Sequence, residues 1–370
     1  MTFTDLTKIM VDADLREAGL EPPRRGGRVP RPEVSGPVVD KGLKRPRVCF
    51  YTSDFGYGHA TRDIALIREL QKSLGAEVVV RAGSPADFMS CSLPPGVEVL
   101  QRPNDPPGVV MDGAAVAGGE RTLAAVEQWV ASWEECIAAE MIFLRDRGFD
   151  LVLSDIAPQP FLAAEELGIP SLGVSNFTWH LIYTRLFGKT ELTDRIAEAY
   201  RAADVALLLP LHEPMAVFKN RREVGLVARA VTRNRKEIRR LCGLSEEEPL
   251  VYLGGGQSLD PPTVFRGVRS ALAGCTLLVP SWTDLPGAVR IPPGETETQD
   301  WIAACDLVVS KPGYSTIAEA IQAGVPMALF SREGFAEDDY LIGDVKVMGI
   351  GREVPAAAVL DGSWQMTWNP

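Results

Sequence analysis

The 370-residue chain has no run of apolar residues long enough for a membrane span. Its longest stretch without Asp, Glu, Lys or Arg, 167–184, is interrupted by Gly168, Pro170, Gly173, Asn176 and His180, whereas a bilayer-crossing helix needs roughly 20 predominantly apolar residues. The first twenty residues carry Asp5, Asp12, Asp14 and Glu17 and lack an apolar h-region, so no secretory leader is expected and a cytoplasmic location follows. The six cysteines, Cys49, Cys91, Cys136, Cys242, Cys275 and Cys305, include no CxxC pair; they read as small buried apolar residues rather than a disulfide or metal framework. An excess of positive charge is also missing: the formal net charge is −11, which gives nucleic acid no electrostatic footprint. There is no GxxxxGK[ST], which disfavours nucleotide hydrolysis of the P-loop type.

What remains is an ordinary globular composition, 46% hydrophobic and 24% charged, in a chain long enough for about two domains. Residues 1–46 differ from the rest. A short possible helix, 6–18, leads into a segment with Pro22, Pro23, Gly26, Gly27, Pro30, Pro32 and Pro37, which reads as an irregular arm. Between 16 and 47 there are nine Lys or Arg against four Asp or Glu, a balance that suits a solvated appendage or contact with an acidic surface or an anionic membrane.

From Arg47 onward, short apolar runs alternate with helical stretches. Strands are expected at 48–52, 77–81, 151–154, 171–174 and 205–209, with helices at 63–74, 123–144 and 161–167 among them. The same grammar restarts with strands at 250–253, 276–279, 307–310 and 327–330 and a helix at 315–323. Such alternation specifies α/β units with doubly wound parallel sheets. Two Rossmann-like domains, 47–215 and 216–370, are expected to face a central cleft, since ligands of open α/β sheets bind beyond the carboxyl ends of the strands.

Each half has a glycine-rich turn after its first strand. In the first, Gly56-Tyr57-Gly58-His59-Ala60-Thr61-Arg62 joins strand to helix, and His59 lies where an imidazole can accept a proton near neutral pH; a structural histidine is the alternative. In the second, Gly254-Gly255-Gly256 exposes backbone N–H groups suited to phosphate. Downstream, Gly313, Ser315 and Thr316 open a helix whose N-terminus suits a diphosphate, and Glu319, one turn inside, can accept two ribose hydroxyls. The alternative is a capping box built on Ser315 or Thr316 with Glu319.

Several blocks together suggest a family: 56–62, Ser154-Asp155-Ile156-Ala157-Pro158, 175–183 (SNFTWHLIY), 311–320 (KPGYSTIAEA) and Gly334-Phe335-Ala336-Glu337-Asp338. The chain resembles the GT-B glycosyltransferase superfamily. It is similar over most of its length to the N-terminal glycosyltransferase-like domain of the L-arabinokinase family, and in its second half to the UDP-N-acetylglucosamine transferase of peptidoglycan synthesis. The resemblance implies a nucleotide-sugar donor, expected to be UDP-linked, on the second domain and a small-molecule acceptor on the first. The diphosphate would lie on Gly255, Gly256, Gln257, Ser258, Gly313, Ser315 and Thr316, the ribose on Glu319 and the sugar hydroxyls on Glu337 and Asp338. His59 would act as general base, with Asp155 as an orienting or acceptor-binding carboxylate; inversion is expected, with no metal and no further cofactor required. Trp179, His180, Tyr183 and the stretch 104–121 are candidates for the acceptor side. A nucleotide-sugar 2-epimerase and a binding module without turnover share the same expected pockets.

Overall fold

The computed structural model describes residues 45–102, 108–110, 119–255, 268–332, 334–361 and 363. The expected arm at 1–46, but for its last two residues, lies outside them, as do Gly256, Gln257 and Ser258. Among the described residues the chain divides into two compact units, one ending at Val227 and the other beginning at Ala228.

The first unit is a seven-stranded parallel sheet of β1 (Arg47–Tyr51), β2 (Glu77–Ala82), β3 (Glu98–Gln101), β4 (Leu151–Asp155), β5 (Ser171–Ser175), β6 (Val205–Leu208) and β7 (Arg221–Glu223), in the order β3-β2-β1-β4-β5-β6-β7. Central strands such as β1 and β4 are near-continuous apolar runs with Cys49, Phe50, Val152 and Leu153 fully buried, as a sheet covered on both faces requires. The unit extends past the expected boundary of 215/216 because β7 adds to its edge through β6. One expected helix, 123–144, is two: Gly119–Ala131 and Trp133–Arg147, parted at Ser132. Another begins earlier than expected, at Tyr57, so His59 is the third residue of a helix running to Leu74 rather than part of a turn.

The second unit is a six-stranded parallel sheet of β8 (Leu250–Gly254), β9 (Thr276–Val279), β10 (Val289–Arg290), β11 (Leu307–Ser310), β12 (Met327–Leu329) and β13 (Gly351–Glu353), in the order β10-β9-β8-β11-β12-β13. Val251, Leu253, Val279, Val309, Ala328 and Phe330 make its core. Among the described residues no helix is long and apolar enough to cross a membrane. Cys49 and Cys305 are buried, as the sequence suggests, but Cys91 is exposed and Cys136, Cys242 and Cys275 are half-buried.

Both sheets reverse their strand order once, between β1 and β4 and between β8 and β11. Neighbouring connections there leave in opposite directions, and the carboxyl ends of the two strands open a crevice. At the second reversal β8 ends at a glycine for a steric reason: a Cβ on Gly254 would lie 2.8 Å from Tyr252 Cε1 and 3.1 Å from Ser310 Cβ. Gly254→Ala is expected to destabilise the protein by about 1–3 kcal/mol through this overpacking, read as a lower midpoint in chemical denaturation; an unchanged midpoint would mean that the two strand ends separate freely.

Candidate functional site

The first candidate site stands at the β1/β4 reversal. The chain leaves β1 through Gly56, whose φ of 80° is a backbone conformation open to glycine at little cost, and turns into the Tyr57–Leu74 helix without a side-chain cap. That entry brings His59, Arg62 and Asp63 over the end of β4, where Asp155 is fully buried. His59 Nδ1 lies 2.9 Å from Asp155 Oδ2. Arg62 donates to the same carboxylate through Nε, 2.8 Å from Oδ2, and through Nη2 to Oδ1, and its Nη1 donates to Asn176 Oδ1 at 2.7 Å. Although burial works against the charged form, Arg62 and His59 hold the Asp155 carboxyl well below the usual carboxylate range.

The expected pair of His59 and Asp155 is therefore brought together. Arg62 Nη2 also lies 2.7 Å from His59 Nδ1, so this nitrogen faces both a donor and the Asp155 acceptor; in the tautomer protonated at Nδ1 the proton is directed to the carboxylate and the lone pair is on Nε2. Sequence reasoning passed over Arg62 and Asp63. An Arg-Asp pair early in a helix reads as solvated, yet both are buried, and only the position of the helix over β4 reveals it.

The chain after Asp155 is strained. Ile156 has φ of 66°, a conformation that costs a β-branched residue of order 1–3 kcal/mol. Ser154 Oγ donates to the carbonyl of Ala157 at 2.8 Å and Tyr200 Oη to that of Ile156 at 2.6 Å, so the turn is held from two sides. The residues expected to line the acceptor side fare differently. Trp179 and Tyr183 are fully buried, their rings stacked 5.4 Å apart with Phe55 and Phe177 edge-on to Trp179; they are core. His180 is half-buried, and burial lowers its pKa. Of 104–121, the described residues are 108–110 and 119–121, and Gly108 lies against the Phe55 ring, where a Cβ would clash at 2.2 Å.

The second candidate site stands at the β8/β11 reversal. Lys311 N, just past β11, donates to Gly254 O at 3.1 Å, which sets the two strand ends side by side with buried Gly255 next in line. The Tyr314–Ala323 helix starts from Gly313 with no side-chain cap, so Ser315 and Thr316, at its second and third positions, do not form the alternative capping box. Glu319 is buried, and Arg229 donates to its Oε1 through Nε at 3.0 Å and Nη2 at 2.8 Å; Nη2 also reaches Thr298 Oγ1 at 2.7 Å. None of the hydrogen bonds among the described residues uses Glu319 Oε2. Burial raises the Glu319 pKa against the pull of Arg229.

Asp338 differs from the expected sugar ligand. It is fully buried and accepts from Arg332 N at 2.7 Å, from Arg332 Nε at 3.0 Å and from Arg332 Nη2. With about four lone-pair positions on a carboxylate, three are taken by Arg332. Glu337, its neighbour, is buried at the start of the Ala336–Val347 helix.

No known protein-family profile matches the chain. It is similar to L-arabinokinase of Arabidopsis thaliana, 30% identical over 347 residues that make 88% of this chain and 32% of that protein. It is also similar to the UDP-N-acetylglucosamine–N-acetylmuramyl-(pentapeptide) pyrophosphoryl-undecaprenol N-acetylglucosamine transferase of Thermus thermophilus, 30% identical over 46% of this chain and 49% of that one. The chain thus spans about a third and about half the length of these curated relatives. Among solved structures it resembles the calicheamicin glycosyltransferase CalG4, with a TM-score of 0.59, 16% identity and coverage of 87% of this chain and 88% of that one. It also resembles Phytolacca americana UGT2 complexed with UDP-2fluoro-glucose and pterostilbene, with a TM-score of 0.56, 14% identity and coverage of 86% and 90%.

Asp63 provides a test of the first site's electrostatics. Burial, and then the charge of Asp155, push its carboxyl well above the usual range, so it is protonated in the folded protein at pH values where the unfolded chain, with an ordinary pKa of about 3.9, has released the proton. Its contribution is fully present below that ordinary value and is lost as pH rises towards the folded pKa. Asp63→Asn, which mimics the protonated acid, is expected to gain stability over the wild type as pH rises from 5 to 8, measured by urea denaturation; an advantage independent of pH would show that Asp63 is ionised in the fold.

Proposed function

We propose, for a chain whose fold is that of the GT-B superfamily, that it is a glycosyltransferase moving a sugar from a nucleotide sugar, UDP-linked, to a small-molecule hydroxyl. The observation that carries this reading is the pairing of His59 with Asp155 at the carboxyl edge of the first sheet. An imidazole whose Nδ1 is directed at a buried carboxylate has Nε2 ready as a general base. The similarity to a UDP-N-acetylglucosamine transferase supports a nucleotide-sugar donor, and the UDP-2fluoro-glucose in a structural relative supports uridine.

The roles follow. His59 Nε2 takes the proton from the acceptor hydroxyl as its oxygen attacks the anomeric carbon. The bond from that carbon to the diphosphate oxygen breaks, its electron pair leaves with the nucleotide diphosphate, and the configuration inverts. Asp155, held by Arg62, compensates the imidazolium that forms. On the second unit the ribose hydroxyls meet Glu319 Oε2, with Arg229 fixing the other oxygen. The diphosphate meets the N–H groups at the start of the Tyr314–Ala323 helix together with Gly255, Gly256, Gln257 and Ser258. N–H groups and dipoles fixed in place stabilise a leaving diphosphate without reorganising, which is the basis for proposing a reaction that needs no metal. Glu337, rather than Asp338, is the carboxylate offered to the sugar.

The test begins with nucleotide sugars screened by thermal shift, where ligand at about 100 times Kd stabilises by about 2.7 kcal/mol, followed by mass-spectrometric detection of a glycosylated acceptor. His59→Ala is expected to lower turnover by about 10²–10⁴ with donor affinity unchanged. Near-normal turnover in His59→Ala would remove the base from this position, and a protein that binds no nucleotide or nucleotide sugar would overturn the reading as a whole. Conversion of a UDP-sugar without any acceptor would favour the epimerase instead.

A further inference from the structure

Two polar groups at the β8/β11 reversal are left unexplained by the site as described. The Ser310 hydroxyl is buried and has no hydrogen-bond partner among the described residues. Its Cβ lies against Gly254, at the mouth of the glycine turn. The next residue, Lys311, is partly buried, with its backbone bonded to Gly254, and its ammonium makes no hydrogen bond or ion pair with a described residue. An orphaned buried hydroxyl and an unbridged lysine in sequence, beside the glycine turn, need a common partner rich in acceptor oxygens and negative charge.

We infer that Lys311 and Ser310 receive the diphosphate of the nucleotide, the ammonium supplying the charge and the hydroxyl a hydrogen bond, and that the amine takes up a proton as it does so. The inference rests on the nucleotide-sugar reading of this unit. The charged groups that face Lys311 are Arg332, from the loop after β12, and Asp338 and Glu337, at the start of the Ala336–Val347 helix. Asp338 is already satisfied by Arg332. Burial first, and then Arg332, lower the Lys311 pKa to about 7 in spite of the two carboxylates. The neighbouring residues on the other elements at this edge, Gly254, Gly255, Gly313, Tyr314 and Ser315, bring no formal charge.

A diphosphate placed against the amine restores its charged form, because an opposite charge within a few ångströms outweighs desolvation. The bound pKa therefore lies above the free one. Binding takes up a proton wherever pH lies between the two, and affinity falls as pH rises through that interval. With the free value near 7, uptake is about half a proton at pH 7 and approaches one at pH 8, where affinity declines by about tenfold per pH unit. An arginine at this position would bind the same anion with no such dependence, since it stays charged throughout.

The experiment is calorimetric titration of the full chain with UDP at pH 8, in Hepes and in Tris, whose ionisation heats differ, so that the difference in observed heat counts protons. Free UDP is already fully ionised at that pH, so any uptake by the ligand itself would persist in the variants. The wild type is expected to take up close to one proton. Lys311→Arg is expected to bind UDP within about threefold of the wild type with the uptake abolished, and Lys311→Met to lose both the uptake and about tenfold or more in affinity; thermal unfolding of both variants checks that they fold. Binding without proton uptake, or uptake that persists in Lys311→Arg, overturns the inference while leaving the nucleotide site standing. Absence of UDP binding in the wild type overturns the nucleotide reading itself.

Discussion

Each sheet in this chain reverses its strand order once, and what carries candidate chemistry stands at those reversals. Parallel strands joined by helical crossovers must send their connections to opposite faces at the reversal, so two strand ends there are left without a crossover on top of them. In the first unit these are the ends of β1 and β4, which carry the His59 helix and Asp155. In the second they are the ends of β8 and β11, which carry the Gly254–Gly255 turn and the Ser310–Lys311 pair. The two units repeat one topological solution and load it with different side chains, a histidine and its carboxylate in one, a serine and a lysine beside a glycine turn in the other.

Loading a dry crevice with charge is expensive unless every charge is met. Three arginines do this: Arg62 on Asp155, Arg229 on Glu319 and Arg332 on Asp338, each with both partners buried. A buried pair of this kind adds little net stability, yet loss of one partner strands the other and typically costs about 3–5 kcal/mol. The guanidinium fork is suited to the task because it occupies chosen oxygens and leaves others, as Arg229 does in taking Oε1 of Glu319. Asp63 is the exception. It is buried beside Asp155 without a cation of its own, and burial together with that neighbouring charge raises its pKa, so it keeps its proton to higher pH than an ordinary aspartate does.

The central strands were legible in the sequence because burial on both faces forces continuous apolar runs such as those of β1, β4, β8 and β11. The edge strands were not. Arg221–Glu223 is a run of charges, Gly351–Glu353 starts on glycine, and Val289–Arg290 has two residues; their pairing comes from the neighbouring strand and not from any pattern of their own, and short charged edges resist pairing with other chains. Of the candidate site, His59, Gly313 and Glu319 were legible because turn glycines and helix starts mark them locally, whereas Asp155, at the end of a strand, was marked by the family resemblance of the 154–158 block alone. Arg229 and Arg332 were not: Arg229 meets its carboxylate 90 positions away, and nothing in the residues around either one distinguishes it from a surface arginine. The pairing of Asp338 with Arg332 was hidden for the same reason, since the arginine that it accepts from lies on an ordinary-looking loop.

The 175–183 block illustrates how a segment can matter to a site without lining it. Its aromatic residues are core, but the backbone N–H of Trp179 donates to Tyr200 Oη at 3.0 Å, and that hydroxyl in turn donates to the Ile156 carbonyl. Asn176 from the same block accepts from Arg62. The block therefore reaches Asp155 along two routes, one through the strained turn that follows it and one through the guanidinium that neutralises it. A carboxylate that must orient an imidazole needs its own direction fixed to within a fraction of an ångström, and a strained turn gives that only if packing makes every relaxed alternative worse. Phe177, edge-on to the His59 ring and to Trp179, joins that aromatic core to the imidazole, so the packing of the 175–183 block and the geometry of the polar site share residues.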